Sequence, residues 1–334
     1  MIKIAINGLG RIGRCIIRAA VELEKTGIKI VAANGTTNPE DYVALIKYDS
    51  VHGTYRGDIK CEDGYIHIGS HKIKIFAERN PEDLPWQDLD IDVVMECTGK
   101  FTNKEDAGKH LKAGAKKVIV SAPCQDADAT IVYGVNNCAL TKDLDVISIG
   151  SCTTNALAPI AKVLNDNIGI ENGYMTTIHS YTNDQNLLDN RHKDPRRARA
   201  CALSMIPTST GAAKAIGLVI PELSGKLLGS AIRVPTANVS LVDLTFNATR
   251  DVTREEVNQH IAKAAKTEFK DIIEVVEAPL VSIDFNHNPH SSIFDHYETA
   301  VVGKRLVRVA IWYDNEWGFA ARMLDVAKMF NGMI

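Results

Sequence analysis

The chain has 334 residues, 45% of them hydrophobic and 24% charged, with a formal net charge of −3. That length exceeds one ordinary core, so two domains are expected. The nearly neutral balance speaks against nucleic acid as the main partner, and no apolar run approaches the ~18 residues of a membrane span.

The start, Met1-Ile2-Lys3-Ile4, reads as a strand and not as a secretion signal. Seven cysteines stand without CxxC or Cys/His metal spacing. This predicts reduced thiols, a cytoplasmic location and no metal. Lys3 to Asn7 is a short buried strand that runs into Gly8-Leu9-Gly10-Arg11-Ile12-Gly13. A helix follows, with Ile16, Ile17, Ala20 and Leu23 at helical spacing, then a second strand, Lys29 to Asn34. Inside such a βαβ unit the glycines permit a tight turn and bring backbone to a pyrophosphate at the helix N-terminus. Dinucleotide binding is the expectation, with Gly8, Gly10 and Gly13 in contact.

The second strand ends in Asn34-Gly35-Thr36-Thr37, where an NAD site would carry an acid for the ribose hydroxyls. The first acids, Glu40 and Asp41, come only after Pro39. Nothing there repels a 2′-phosphate, so Gly35 and Thr36 are expected to admit NADP as well as NAD. The plainer reading is that Gly35 only turns the chain while NAD is still used.

Further on, Tyr65 to Phe76 alternates like a hairpin, and Asp92 to Cys97 is a buried strand closing at Thr98-Gly99. A polar helix is predicted over 104–113, and another strand, Lys117 to Val120, closes at Ser121. Loops at the carboxyl ends of parallel strands line the ligand crevice of such sheets, so Thr98 and Ser121 are cofactor-side candidates, equally readable as turn chemistry.

Near the middle, the apolar run Val146 to Ile149 leads into Ser151-Cys152-Thr153-Thr154-Asn155 and then a helix-forming run, Ala156 to Leu164. A thiol at that turn feels the positive end of the helix, which favours thiolate and makes a nucleophile. A small buried core cysteine is the alternative. Gly173 to Tyr181 is a β-type run containing His179. The long polar segment Asn183 to Arg199 either forms a solvated face or meets phosphates. Pro207 to Gly211 opens a helix, Leu228 to Ala248 reads as strands, 253–266 as an amphipathic helix and Leu306 to Tyr313 as a strand. The pattern predicts an α/β chain: a Rossmann-type doubly wound parallel sheet over 1–150, rejoined by a terminal helix 316–334, plus an α+β catalytic domain with a mainly antiparallel sheet over 151–315.

These motifs together resemble the phosphorylating glyceraldehyde-3-phosphate dehydrogenases along essentially the whole chain. The resemblance rests on Asn7 to Arg14, Lys47 to Gly53, Glu96 to Gly99, Ser151 to Asn155, His179 to Thr182, Arg196 to Arg199, Pro207 to Gly211, Arg233 to Pro235 and Trp312 to Gly318. It implies that Cys152 is the nucleophile and His179 its base, acting through a thiohemiacetal and a thioester. Arg11 and Ile12 would contact the pyrophosphate, Arg79 and Ser121 would lie along the cofactor, and Asn315 would hold the nicotinamide carboxamide. Thr182 and Arg233 would bind the phosphate of glyceraldehyde 3-phosphate. Ser151, Thr153, Arg197, Thr210 and Gly211 would receive inorganic phosphate. The segment after Tyr181 would reach a neighbouring subunit's cofactor in a homotetramer.

Three positions depart from the family pattern. Gly150 replaces alanine, Gly35 replaces aspartate, and Asn190-Arg191 replace Leu-Pro. The last two point to NADP tolerance, with Arg191 expected to supply a cation. Erythrose-4-phosphate dehydrogenase, with the same thiol and histidine, is the nearest alternative. A non-catalytic binding protein and a redox-sensing thiol protein are more distant ones.

Overall fold

The computed structural model describes residues 1–332. The last two positions of the expected helix 316–334 lie outside the described residues. The chain forms two compact units: Met1–Ser151 together with the chain from Phe319 onward, and Cys152–Gly318. Among the described residues no helix is long and apolar enough to cross a membrane.

In the first unit the elements in order are β1 (Ile2–Asn7), α1 (Arg11–Glu22), β2 (Ile28–Asn34), α2 (Pro39–Lys47), β3 (Ile59–Glu62), β4 (Tyr65–Ile68), β5 (His71–Phe76), β6 (Val93–Glu96), α3 (Lys104–Ala107), α4 (Lys109–Lys112), β7 (Lys117–Val120), β8 (Ala129–Thr130) and β9 (Val146–Ser148). They build a nine-stranded sheet in the order β8-β9-β7-β6-β1-β2-β5-β4-β3. From β8 to β5 every pair is parallel, and β5-β4-β3 folds back antiparallel. β1 is buried along almost its whole length, which a central parallel strand needs and its run of Ile and Ala supplies. The chain leaves β1 for β2 on one side and later returns to β6 on the other. The carboxyl end of β1 is therefore a topological switch point, where such sheets open a crevice.

The single helix expected over 104–113 is two short ones. Gly108 divides them: Leu111 N–H bonds back to its carbonyl three residues earlier, so the turn tightens there.

The second unit contains α5 (Cys152–Asn167), β10 (Ile170–Ser180), β11 (Ile206–Ser209), α6 (Ala212–Val219), β12 (Leu227–Val234), β13 (Ser240–Ala248), α7 (Arg254–Lys266), β14 (Ile273–Val276), β15 (Ser292–Asp295), β16 (Ala300–Val302) and β17 (Leu306–Tyr313), and α8 (Trp317–Asn331) begins at its end. Its mixed, mainly antiparallel sheet runs β11-β12-β10-β13-β17-β15-β14, with β16 also on β17. β13 alternates buried and half-buried residues along its length, the period of a strand with one face on a core. β10 and β12 pair in parallel with His179 opposite Arg233. β11 has no counterpart in the sequence reading: Pro207 lacks the N–H of a central strand, and β11 is tolerated because it is an edge paired only to β12.

Candidate active site

In the first unit a cavity of about 710 Å3 opens at the switch point, and Gly8, Gly10, Gly35, Thr36, Arg79 and Thr98 are among its lining. Gly8 has φ +101, and a Cβ there would stand 2.7 Å from Thr98 N. A Cβ on Gly13 would stand 2.1 Å from Gly8 O, whereas one on Gly10 would meet nothing within 4 Å. The first glycine thus makes the turn, the third lets α1 close on β1, and the middle one leaves open space beside the helix start. α1 opens at Gly10 without a side-chain cap, the arrangement that presents first-turn amides to an anion. These residues fit a dinucleotide.

Arg11 differs from a simple phosphate-binding arginine. Its guanidinium grips Asp49 with both terminal nitrogens, at 2.5 and 3.1 Å. Burial alone would raise Asp49, but the Arg11 bond and the His52 and Val51 amides outweigh it and hold the carboxyl at about 2. Arg11 therefore faces the helix start with its backbone, with Ile12 and Gly13 in the same turn, while its charge is spent on Asp49.

Beneath the cavity runs a chain of side-chain bonds that sequence reasoning missed. Asn34 Nδ2 donates to Asn7 Oδ1 and to the Glu78 carbonyl, both at 2.8 Å. Asn7 Nδ2 donates to Glu96 Oε2 at 2.5 Å. Glu96, 1% exposed, also accepts from the Thr98 amide at 2.7 Å, from the Thr98 hydroxyl, and from His110 Nε2 at 3.1 Å. Because His110 Nδ1 accepts from the Trp86 indole at 3.0 Å, the imidazole proton is assigned to Nε2, facing the carboxylate. A buried carboxylate satisfied from four sides fixes the Thr98 turn and the Gly8 floor together. Ser121 follows β7, its N–H on the Glu96 carbonyl at 3.0 Å, and stands outside the cavity lining.

In the second unit Cys152 is the first residue of α5. The turn before it holds Gly150 at φ +68, a left-handed conformation that glycine adopts without Cβ strain. Cys152 Sγ and His179 Nε2 are 3.5 Å apart. His179 Nδ1 lies 2.7 Å from the Ser180 carbonyl, an acceptor, so Nδ1 carries the proton and the Nε2 lone pair faces the sulfur. Burial pushes the thiol up, opposed by Arg233, the Thr153 hydroxyl and the helix-start amides. Burial, then Arg233, push the imidazole down to about 3, with the Ser180 carbonyl acting against them. Each charge alone is disfavoured. Moving the proton across 3.5 Å makes the two charges counterions, so thiol and imidazole titrate as a pair.

Tyr313, at the end of β17, braces this pair. Its hydroxyl meets Thr153 Oγ1 and Thr177 Oγ1, each at 2.8 Å, and its ring stands edge-on to His179 at 6.0 Å. The Thr153 hydroxyl therefore serves Tyr313 and the sulfur. Asn315 is 5% exposed, and its Oδ1 accepts from Ser240 Oγ at 2.9 Å, which leaves its amide N–H groups for another partner.

Arg233 and the Thr153 hydroxyl act on the sulfur, and the second unit carries further cations and hydroxyls. Arg233 donates to Thr182 Oγ1 at 3.0 Å and to the Ser180 carbonyl at 3.3 Å, and its buried Nε has no partner. An orphaned guanidinium donor of this kind suits an anion. Arg197 is more occupied: it donates to Asp184, to Thr208 Oγ1 at 3.0 Å and to the Ser209 carbonyl at 3.2 Å. Thr210 Oγ1 accepts the Ala212 amide at 3.2 Å at the start of α6, beside Gly211, whose missing side chain would meet open space. Ser151 directly precedes Cys152 in the chain, at the end of the first unit. Arg191 lies in the exposed polar segment, its N–H on its neighbour Asn190 Oδ1 at 2.7 Å.

An α/β unit with a dinucleotide crevice and an α+β unit with a thiol–imidazole pair define a dinucleotide-dependent enzyme class that works through cysteine. Residues 2–104 match the NAD binding domain of glyceraldehyde 3-phosphate dehydrogenase, and residues 151–315 match its C-terminal domain. The glyceraldehyde-3-phosphate dehydrogenase of Cereibacter sphaeroides is 57% identical over 326 residues, that of Xanthobacter flavus 55% over 326, and each alignment covers 98% of this chain and 97% of the relative. The plasmid-borne enzyme of Cupriavidus necator is 56% identical over 328 residues, covering 98% and 97%. The chain belongs to the glyceraldehyde-3-phosphate dehydrogenase family.

Proposed function

We propose that this protein oxidises glyceraldehyde 3-phosphate, with inorganic phosphate, to 1,3-bisphosphoglycerate, and that it uses NADP as well as NAD. The observation that carries the reading is the 3.5 Å approach of Cys152 Sγ to the unprotonated nitrogen of His179. Family membership supports glyceraldehyde 3-phosphate over erythrose 4-phosphate as substrate.

Gly8, Gly10, the α1 start, Gly35, Thr36, Arg79 and Thr98 would hold the dinucleotide, and Asn315 its carboxamide. When bound, the nicotinamide supplies a hydride acceptor. Cys152 gives its proton to His179, the sulfur attacks the aldehyde carbon, and His179 returns that proton to the carbonyl oxygen, forming a thiohemiacetal with a neutral imidazole beside it. Arg233 and Thr182 hold the substrate's phosphate, which orients the carbonyl toward the sulfur. His179 takes the hydroxyl proton as the hydride departs, leaving a thioester on Cys152. Phosphate held by Arg197 and by the Thr210-Gly211 turn attacks that carbonyl, the acyl phosphate leaves, and the sulfur anion is restored.

Leu187 and Leu188 on the polar segment, and Leu203 and Met205 shortly after it, are 69–81% exposed. So many bare apolar side chains suit burial against another copy, in keeping with a homotetramer. The seven free cysteines suit a reducing, cytoplasmic setting. Initial rates with glyceraldehyde 3-phosphate, each coenzyme in turn, with and without phosphate, test the reaction. Rates independent of phosphate would overturn it.

A further inference from the structure

The space beside Gly35, at the end of β2, is filled from another element. Tyr42 of α2 aims its phenol there: a Cβ on Gly35 would stand 2.1 Å from Tyr42 Oη and 2.6 Å from Cζ. Tyr42 is 5% exposed and lines the same cavity as Gly8 and Gly35. Its oxygen accepts the Thr37 amide at 3.2 Å. A phenol has one proton to donate, and among the described residues this one has no acceptor. The acids of α2 are turned elsewhere. Asp41 accepts from Thr37 Oγ1 at 2.9 Å, and Glu40 from Cys61 Sγ at 3.5 Å. Arg79 and Lys100 add two cations to the lining, against one acid, Glu78.

The adenosine ribose of a dinucleotide falls against the end of the second strand, where an acid would accept from its hydroxyls. We propose that Tyr42 is the specificity-determining residue of this subsite, its O–H standing where the carboxylate would be and donating to the 2′-substituent of the ribose. The inference rests on the dinucleotide reading above. A carboxylate repels a 2′-phosphate, whereas a neutral O–H donates to it, and more strongly than to a hydroxyl because the acceptor is charged. Tyr42 thus favours NADP actively, beyond the mere absence of an acid at position 35. The same ring explains why position 35 is glycine: any side chain there collides with it. An aspartate introduced alone therefore has no room.

The test is calorimetric titration of the full-length protein with NAD and with NADP. Tyr42→Phe keeps the ring and removes only the proton donor. It is expected to weaken NADP roughly tenfold, the loss of one hydrogen bond to a charged group, and NAD by less than about twofold. Gly35→Asp is expected to weaken both coenzymes, and Gly35→Asp with Tyr42→Ala to favour NAD. Melting temperatures measured in parallel separate a folding defect, which would weaken both coenzymes alike, from a change in their ratio. If both coenzymes bind and Tyr42→Phe leaves their ratio unchanged, the role of Tyr42 is overturned while the dinucleotide site stands. If the unchanged protein binds NAD but not NADP, the donor role is overturned as well. If it binds neither, the dinucleotide reading itself fails.

Discussion

His179 offers Cys152 a bare nitrogen at 3.5 Å because its other nitrogen is committed to the Ser180 carbonyl. That one bond sets the tautomer, and the tautomer decides that the sulfur faces a proton acceptor and not a donor. His179→Asn should lower the turnover rate by about 10²–10⁴, the usual worth of a positioned base, while coenzyme still binds. It should also move the pH midpoint of thiol alkylation upward. Burial already pushes the thiol up, and an imidazolium counterion works against burial, so removing it leaves burial unopposed on that side. Iodoacetamide rates measured against pH in both proteins check this, and an unshifted midpoint would refute the pairing.

Cys152→Ser should abolish the burst of reduced coenzyme in rapid mixing, since a hydroxyl there cannot form the thioester. Calorimetry should still find coenzyme bound, because the cavity of the first unit is untouched.

The two arginines should separate kinetically. Arg233, with an orphaned Nε and a bond to Thr182, is expected to serve the sugar phosphate. Arg233→Lys should raise KM for glyceraldehyde 3-phosphate about tenfold or more, since an ammonium cannot copy a guanidinium fork. Arg197→Ala should raise KM chiefly for inorganic phosphate. The opposite pattern would exchange the two sites.

Asp49 makes a pH-dependent contribution to stability. Its carboxyl is held at about 2 when folded, against an ordinary value of 3.8. A depressed carboxyl stabilises the fold above its unfolded value and loses that contribution as pH falls from about 4 toward about 2. Asp49→Asn should cost about 1–2 kcal/mol at neutral pH. The gap between the two proteins in urea denaturation should narrow as the solution is acidified. A gap that does not change with pH would show that packing, not charge, is what Asp49 supplies.

Glu96→Gln should cost roughly 1–3 kcal/mol, because an amide turns N–H groups toward donors that have no other acceptor. Coenzyme affinity should fall with it, since Asn7 and Thr98 line the cavity and hang from that carboxylate. Urea denaturation and calorimetry read the two effects separately.

The chemistry most open to sequence reading was local. Three glycines at fixed spacing between a strand and a helix, or a cysteine at a helix start, announce themselves within a dozen residues. What escaped depends on distant segments. Glu96 looked like one more residue of a buried strand until Asn7, Thr98 and His110 met on it. Tyr42 carried no signal of its own in the sequence, and only the fold brings it to Gly35. Tyr313 closed a strand, with nothing nearby to say that Thr153 and Thr177 would share its hydroxyl. Arg197 was legible as a cation, but its commitment to Asp184 was not, because the polar segment that carries both has no periodicity to place them. β11 was hidden by Pro207, whose local meaning is a break and whose tertiary meaning is an edge.

His179 and Arg233 sit side by side because two parallel strands happen to be in step at that rung. Strand side chains alternate faces, so inserting or deleting one residue upstream in either strand would turn one of the two away from the sulfur while leaving a perfectly good hydrophobic pattern nearby. Point substitutions can tune this centre gradually, but length changes within β10 or β12 would extinguish it in a single step. Natural variation in length is therefore expected to be confined to the loops, with these two strands keeping a constant count of residues.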